Sequence, residues 1–278
     1  DWNGEHMSVT GIAGKTSDLR AINLVGTAGA ANVATDLRGV VVSCKMHEMV
    51  KPSAYLYNRV THSASSVGAG PAGATSGAGK NTNLYVAGLK AKIAAAGLTA
   101  VVEFAKNFGD DRATFNNGGL GPQSGKFTGW AFQTKLGYKL DLSDVGAINP
   151  WAEFGLGTGD SNYAHAGNND FQSINTDYRP GGIYGRFDQG AAVVLNGFNG
   201  SGVNGSAASN GLTNRVIWGL GVKATPSAIN KLTVGAAYYR YAFHRVAPSS
   251  TGQKVSRNIG SEVNVTGEWK HSENVSLK

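Results

Sequence analysis

The sequence predicts an all-β fold, an antiparallel up-and-down transmembrane β-barrel. Three observations predict it: long runs in which apolar and polar residues alternate, connections that alternate between short and long, and a glycine-rich, charge-poor composition. Glycine supplies 40 of 278 residues and charged residues only 15%, against about 7% and about 25% in ordinary domains. That glycine content disfavours a helical bundle, because each helix-interior glycine costs about 1 kcal/mol relative to alanine. Glycine keeps no three-residue period, which excludes collagen. Aromatic and β-branched residues are plentiful, which excludes bulk disorder. No stretch approaches the roughly 18–20 apolar residues of a membrane-spanning helix. The mean hydropathy of −0.19 fits a wall whose strands are apolar on one side only.

The elements follow in chain order, and the whole chain, 1–278, reads as one barrel domain. The alternation is least clean over residues 1–38, where 5–13 and 19–26 are the strand candidates. Strands follow at 39–47 and 53–62. In 84–94, Tyr85, Ala87, Leu89, Ala91 and Ile93 alternate with Gly88, Lys90 and Lys92. In 98–108, Leu98, Ala100, Val102 and Phe104 alternate with Thr99, Glu103 and Asn107. The stretch 127–142 is the clearest: Trp130, Phe132, Thr134, Leu136, Tyr138 and Leu140 oppose Gly129, Ala131, Gln133, Lys135, Gly137, Lys139 and Asp141. Period two is the mark of a strand with two unlike faces, and this run far exceeds the usual five or six residues. Further strands are 147–157, 211–224, 231–243 and 258–270, which brings the visible total to about twelve. In 231–243, Arg240 falls on the apolar face, which a bulge or a strand end beyond the lipid explains.

Short connections at 95–97, 143–146, 226–230 and 271–273 alternate with long ones at 64–82, 109–126, 160–210 and 245–257. Short turns on one rim and long loops on the other describe an up-and-down meander of the outer-membrane type. The segment 160–210 is the candidate gate or plug. Aromatic residues gather near strand ends: Tyr55, Tyr57, Trp130, Tyr138, Trp151, Tyr238, Tyr239, Tyr241, Phe243 and Trp269. Periodicity alone leaves open whether the apolar face meets lipid or a soluble core. Strand length, glycine on the polar face and loop asymmetry favour lipid.

With apolar faces toward lipid, the opposite faces line a lumen. Its basic residues are Lys90, Lys92, Lys135, Lys139, Arg215, Lys223 and Lys270. Its acidic and polar residues are Glu103, Gln133, Asp141, Glu153, Glu262, Asn264 and Glu268. Lysine or arginine facing lipid at midplane costs about 2–4 kcal/mol, which places them inward. Two uses stay open: selection of anions by basic rings, or a wall of internal ion pairs. The net charge of +7 is compatible with anionic partners.

Other motifs carry little. Gly68, Gly70 and Gly73 match a dinucleotide fingerprint but follow no strong strand and enclose Pro71. Gly77, Gly79 and Lys80 echo a phosphate loop but lack its first glycine and its Ser/Thr, since Ala74 and Asn81 stand there. Six scattered histidines make no metal-ligand spacing, and the one cysteine, Cys44, excludes a disulfide framework. Asp160, Asn162 and Asp170 lie in an oxygen-rich loop with Asn168 and Asn169, a loose Ca²⁺ candidate against the plainer reading of a polar loop. Asn199 and Asn204 begin glycosylation sequons.

A Gly-Trp-Ala-Phe strand at 129–132, a Thr-Gly-Asp-Ser-Asn loop at 158–162, a Phe-containing loop from 171, a Lys-Leu-Thr-Val hairpin strand at 231–234 and a Gly-Ser-Glu-Val-Asn-Val strand at 260–265 follow in that order, and together these segments resemble the alginate-export family of outer-membrane porins. The first is GWAFQTKLGYKLDL at 129–142, matching a Gly-Trp-Ala-aromatic strand. PWAEFGLGTGDSN at 150–162 runs into a Gly-Asp-x-Asn loop, and FQSINTDYRPGGIYG at 171–185 matches a long Phe-containing loop. GLGVKATPSAINKLTVGAAYYRYAF at 219–243 and IGSEVNVTGEWKHSENVSLK at 259–278 complete the series, with YVAGLKAKIAAAGLTAVVEFAKNFGDD upstream. Family barrels have eighteen strands; Asn264 stands where the family usually has Asp, and Thr158 where Ser is frequent. The chain ends within a strand and lacks the terminal aromatic of such barrels, so the resemblance implies further strand beyond Lys278.

The expected function is passive passage of a polar, anionic solute or polysaccharide across a bacterial outer membrane, without catalysis, cofactor or nucleic-acid partner. The expected surroundings are outer-membrane lipid and lipopolysaccharide. Two alternatives stand beside it: a structural barrel sheathing or anchoring a partner in an envelope complex, and a soluble β-rich binding protein.

Overall fold

The computed structural model describes residues 1–18, 34–62, 81–111, 125–160, 167–174, 178, 180–183, 212–229, 231–246, 256–270 and 276–277. Among these there is no helix. The strands are β1 (Trp2–Asn3), β2 (Met7–Asp18), β3 (Ala34–Cys44), β4 (Val50–Thr61), β5 (Thr82–Ala95), β6 (Leu98–Asp111), β7 (Gly125–Phe127) and β8 (Trp130–Tyr138). They continue with β9 (Leu140–Asp141), β10 (Gly146–Gly157), β11 (Gly167–Asn168), β12 (Arg215–Pro226), β13 (Leu232–Phe243), β14 (Asn258–Lys270) and β15 (Ser276–Leu277).

All belong to one sheet, whose main path is β1-β2-β3-β4-β5-β6-β8-β10-β12-β13-β14-β15. Every pair on that path is antiparallel between chain neighbours, as an up-and-down meander requires. β7 and β11 form a small parallel pair beside β6. Among the described residues no ladder joins β14 or β15 back to β1 or β2. The sheet is nonetheless strongly curved. Ile12 of β2 and Gln133 of β8 line one cavity, and Thr99 of β6 and Thr266 of β14 line another. Each of those strand pairs is five ladder steps apart, about 24 Å on a flat sheet at 4.8 Å per step.

The ladders fix the faces, because directly paired residues share one. On the convex face stand Val40, Leu56, Leu89, Phe104, Leu136, Trp218, Leu220, Val234, Val263, Val265 and Trp269, all exposed; Val265 is 82% exposed and Val263 69%. The concave face carries the buried core: Leu84, Val86, Ala105, Ala131, Ile217, Tyr239 and Tyr241, joined by Phe127, Phe171 and Leu212. The apolar set is therefore split. One part meets solvent outside, and another packs inside near the long-connection rim.

Two sequence expectations change, those for the 127–142 strand and for the aromatic residues. The 127–142 strand is broken: Phe127 belongs to β7, and after Tyr138 the Lys139 N–H donates to the Gly97 carbonyl at 2.9 Å before β9 resumes. Arg240 sits on the convex face as the alternation implies, with a register shift directly after it at Tyr241/Ala242. The strand candidate at 19–26 lies wholly outside the described residues. Finally, the aromatic residues divide. Trp130, Tyr138, Tyr238 and Trp269 face outward, whereas Tyr55, Tyr57, Trp151, Tyr239, Tyr241 and Phe243 face inward. The inward ones lie across glycines of the neighbouring strand: Tyr55 over Gly88, Tyr57 over Gly39, Trp151 over Gly221 and Tyr239 over Gly219. A Cβ on Gly88 would fall 2.1 Å from the Tyr55 ring. These four inner-face glycines make room for rings, whereas Gly14, opposite Leu37, meets nothing within 4 Å.

Candidate functional site

The concave face holds a strap formed by the described residues between 167 and 183. It begins at β11 beside β7 and runs across the inner ends of β6, β8, β10, β12, β13 and β14. Its contacts explain its path. The Asn107 side chain of β6 accepts from the Gln172 N–H (2.6 Å) and donates to the Gln172 carbonyl (3.0 Å), a side-chain mimic of a strand pair. Gly129 admits the strap backbone, since a Cβ there would lie 2.5 Å from the Asp170 carbonyl oxygen. Phe171 is 6% exposed; its N–H donates to the Thr158 carbonyl at 3.0 Å, and its carbonyl accepts from Thr213 Oγ1 at 2.7 Å. Tyr178 lays its hydroxyl over Gly155, beside Glu153. The Pro180 carbonyl accepts from Tyr241 Oη at 3.2 Å, and the Gly182 N–H donates to Glu262 Oε1 at 2.7 Å.

At the strap's start a polar knot ties three strand ends together. Thr158 Oγ1 accepts from the Trp130 N–H (2.9 Å) and donates to the Asn169 carbonyl (2.7 Å). Asp170 Oδ1 accepts from the Asp160 N–H at 2.6 Å, and Asp160 Oδ2 accepts from the Asn169 N–H at 3.2 Å. His244 Nδ1 accepts from the Gly159 N–H at 3.0 Å. Asn214 closes the knot through both backbone groups of Arg245.

Burial pushes the Asp170 carboxyl up to about 7, with the Asp160 charge adding; the Asp160 N–H and the Arg215 charge pull the other way. The docked strap thus holds a proton that a released Asp170, ordinarily near 3.8, has given up. Stability is then greatest below the released value and is lost as pH rises through the docked one, a window of about pH 4 to 7. His244 works in the opposite sense. Burial, then Arg245 and Arg257, hold its imidazole below 6.5, so its contribution is present at higher pH and lost on acidification. The expected result is that exchange protection of the Phe171 and Gln172 amides falls between about pH 4 and pH 7 and levels off above it, after correction for intrinsic rates. Asp170→Asn should flatten that fall; an unchanged profile in the variant would remove Asp170 from the account.

On either side of the strap are two cavities. One, about 560 Å³, is lined by Tyr55, Lys90, Glu103, Gln133, Phe171 and Tyr178 among others. The other, about 740 Å³, is lined by Lys135, Asn149, Trp151, Gly182, Lys223 and Asn264 among others. Apart from Lys139, which lies between β8 and β9 outside any ladder, the residues that the sequence assigned to a lumen lie on the concave face by register, but they differ in engagement. Lys90 pairs with Glu103 at 2.8 Å, and Glu103 also accepts from Tyr55 (2.7 Å) and Gln133 (2.8 Å). Lys135 pairs with Glu153 at 3.3 Å and lies 4.8 Å from the Trp151 ring centre. Lys139 pairs with Asp141 at 2.9 Å on the exposed rim. Asn264 donates to Glu262 at 2.7 Å. Arg215 is buried, stacked on Phe243 at 4.8 Å and donating to the Thr213 and Asn214 carbonyls. Glu268 stands opposite Thr233 near the rim. Lys92, Lys223 and Lys270 have no acidic partner among the described residues.

Of the Ca²⁺ candidates, Asp160 and Asp170 come together but spend oxygens on strap amides, and Asn162 lies outside the described residues. Among the described residues no three His, Cys, Asp or Glu converge on a metal position. Sequence reading missed Asn107, Gly129, Thr158, Phe171 and Tyr178 as strap contacts. Its available signal was the Phe-containing segment within a long connection. Compared with known proteins, the chain matches no family model and no curated protein.

Proposed function

We propose that this chain is the wall of an outer-membrane β-barrel, resembling the alginate-export porins, through which a polar, anionic solute or polysaccharide passes by diffusion. The observation that carries this reading is the inverted polarity of the sheet. Large apolar side chains lie exposed over the convex face, while thirteen charged strand residues turn to the concave one: Lys51, Arg59, Lys90, Lys92, Glu103, Lys135, Asp141, Glu153, Arg215, Lys223, Glu262, Glu268 and Lys270. Lipid accepts such an outer surface at no cost, whereas water penalises it by about 25 cal/mol per Å² of apolar area. Strands of 9–14 residues on the main path suit a tilted crossing of the bilayer core. In this reading the strap is the constriction.

A structural barrel that sheathes a partner is the second reading, and the apolar core under the strap favours it to the extent that the interior is filled. Planar-bilayer recording separates the two. A passage barrel gives discrete current steps with anion preference in a salt gradient; a sheathing barrel gives none. Extraction tests the membrane setting itself: the protein should need detergent, and a chain that stays in buffer alone overturns the proposal.

A further inference from the structure

At the short-turn rim the first ladders of the sheet gather cations around a further cavity of the concave face. It measures about 690 Å³ and is lined by Lys45, Lys51, Lys90 and Lys92, with serines between them. The register puts these groups together. Ser8 stands opposite Ser43, Ser43 opposite Ser53, and Ser53 opposite Lys90, so a row of hydroxyls crosses β2, β3 and β4. One step nearer the rim, Lys51 stands directly opposite Lys92. One step the other way, the same face carries Val41 and Tyr55, and the Tyr55 ring lies over Gly88. The change from serine to larger side chains gives the cavity its inner wall.

These cations are unequally engaged. Lys90 is neutralised by Glu103 at 2.8 Å. Lys45 donates to the Asn3 side-chain oxygen, an uncharged partner. Lys51 and Lys92 have no acidic partner among the described residues. Directly opposed residues hold their Cβ atoms about 4.5–5.5 Å apart, and like charges so placed are destabilising. The carboxylate in the lining is Glu48, so with Lys90 spent, Lys45, Lys51 and Lys92 outnumber it by two. His47 also lines the cavity; its Nδ1 accepts from the Met49 N–H at 3.2 Å, which leaves the proton of the neutral ring on Nε2 as a donor.

Ammonium and hydroxyl donors with two positive charges in excess suit a tetrahedral dianion. A phosphomonoester carries a charge of about −1.5 to −2 at pH 7 and three acceptor oxygens. A carboxylate brings a single charge in a planar fork that arginine fits best, and among the described residues no arginine lines this cavity. We propose that the cavity is a binding site for a phosphate group, free or carried by a small polar solute, with Lys51 and Lys92 as its paired cations and Ser43 and Ser53 as hydroxyl donors. The site goes beyond passage by diffusion and does not depend on it, because the ladders from β2 to β5 build it.

The test titrates the whole chain in detergent micelles with inorganic phosphate, glucose 6-phosphate and glucuronate, read by calorimetry at low ionic strength. Both phosphates should bind saturably, and glucuronate at least about tenfold more weakly. The two phosphates distinguish the free ion from a phosphomonoester as the form the cavity holds better. Lys51→Gln and Lys92→Gln should each weaken phosphate binding about tenfold or more. Arg240→Gln removes the same charge from the convex face and should leave binding unchanged. Urea midpoints guard against a folding artefact. Without ligand, Lys51→Gln should be at least as stable as the wild type, because the opposed charges are relieved; millimolar phosphate should raise the midpoint of the wild type alone. Absence of saturable binding, equal binding of glucuronate, an equal loss in Arg240→Gln, or an equal phosphate-induced rise in Lys51→Gln overturns the proposal. Each leaves the passage reading standing, since that is judged by current.

Discussion

Replacing Phe171 by alanine is expected to release the strap, destabilising the fold by about 3–5 kcal/mol and raising single-channel conductance severalfold. The ring is buried in the one apolar cluster of the concave face, among Leu84, Val86, Leu212 and Ile217. Both backbone groups of Phe171 are hydrogen-bonded to strand-end residues, so its loss loosens the strap at its most constrained point. Gly129→Val strikes the same contact from the other side. Its side chain meets strap backbone, at 2.5 Å from the Asp170 carbonyl and 2.6 Å from Phe171 Cα, and backbone has no rotamer with which to yield. The two substitutions should therefore raise conductance alike although one removes volume and the other adds it. Urea unfolding and planar-bilayer recording of both variants check this. A strap that merely decorates the wall would leave conductance unchanged in each, and the constriction assignment would be lost.

Most of the sheet was legible in the sequence because its physics is local. Alternation in 84–94, 98–108 and 258–270 sets a strand and divides its faces without reference to any neighbour, and β14 is Asn258–Lys270 as the pattern alone implies. What was not legible depended on partners. Tyr239 and Tyr241 alternate with Tyr238 and Arg240, and no property of that run says which tyrosines meet rings across glycine and which face outward. Only the pairing of Gly219 with Tyr239 and of Ile217 with Tyr241 decides it. The strap is harder still. Phe171 and Gln172 sit in a segment without period; Asn107, which holds Gln172, lies 65 residues away, and Thr158 holds the Phe171 N–H. The glycine excess was visible at once, yet its use needed the register.

On the proposed channel reading, exchanging Lys92 and Lys223 together for glutamate is expected to reverse the ion preference, whereas Lys135→Glu should mainly destabilise the protein. The distinction follows from pairing. A lysine already neutralised by a carboxylate contributes little net field, and Lys90, Lys135 and Lys139 each have one within 3.3 Å. Lys92 instead stands directly opposite Lys51 on the concave face, a like-charge pair that the sheet carries at a cost. Lys223 stands opposite Asn149 and Gly235, and Lys270 opposite Ser276. These uncompensated cations all lie toward the short-turn rim, so the positive field belongs to that mouth rather than to the strap, and a passing ion meets it as a ring. Lys135→Glu would place a second carboxylate against Glu153, whose side chain is only 8% exposed. The Lys135 side chain is itself 55% exposed, so solvent screening holds the cost of losing the pair to about 1–3 kcal/mol. Reversal potentials in a salt gradient, read beside urea midpoints, separate field from scaffold. A sign change in Lys135→Glu with none in the Lys92 and Lys223 double variant would mean that the paired lysines, despite their partners, set the selectivity.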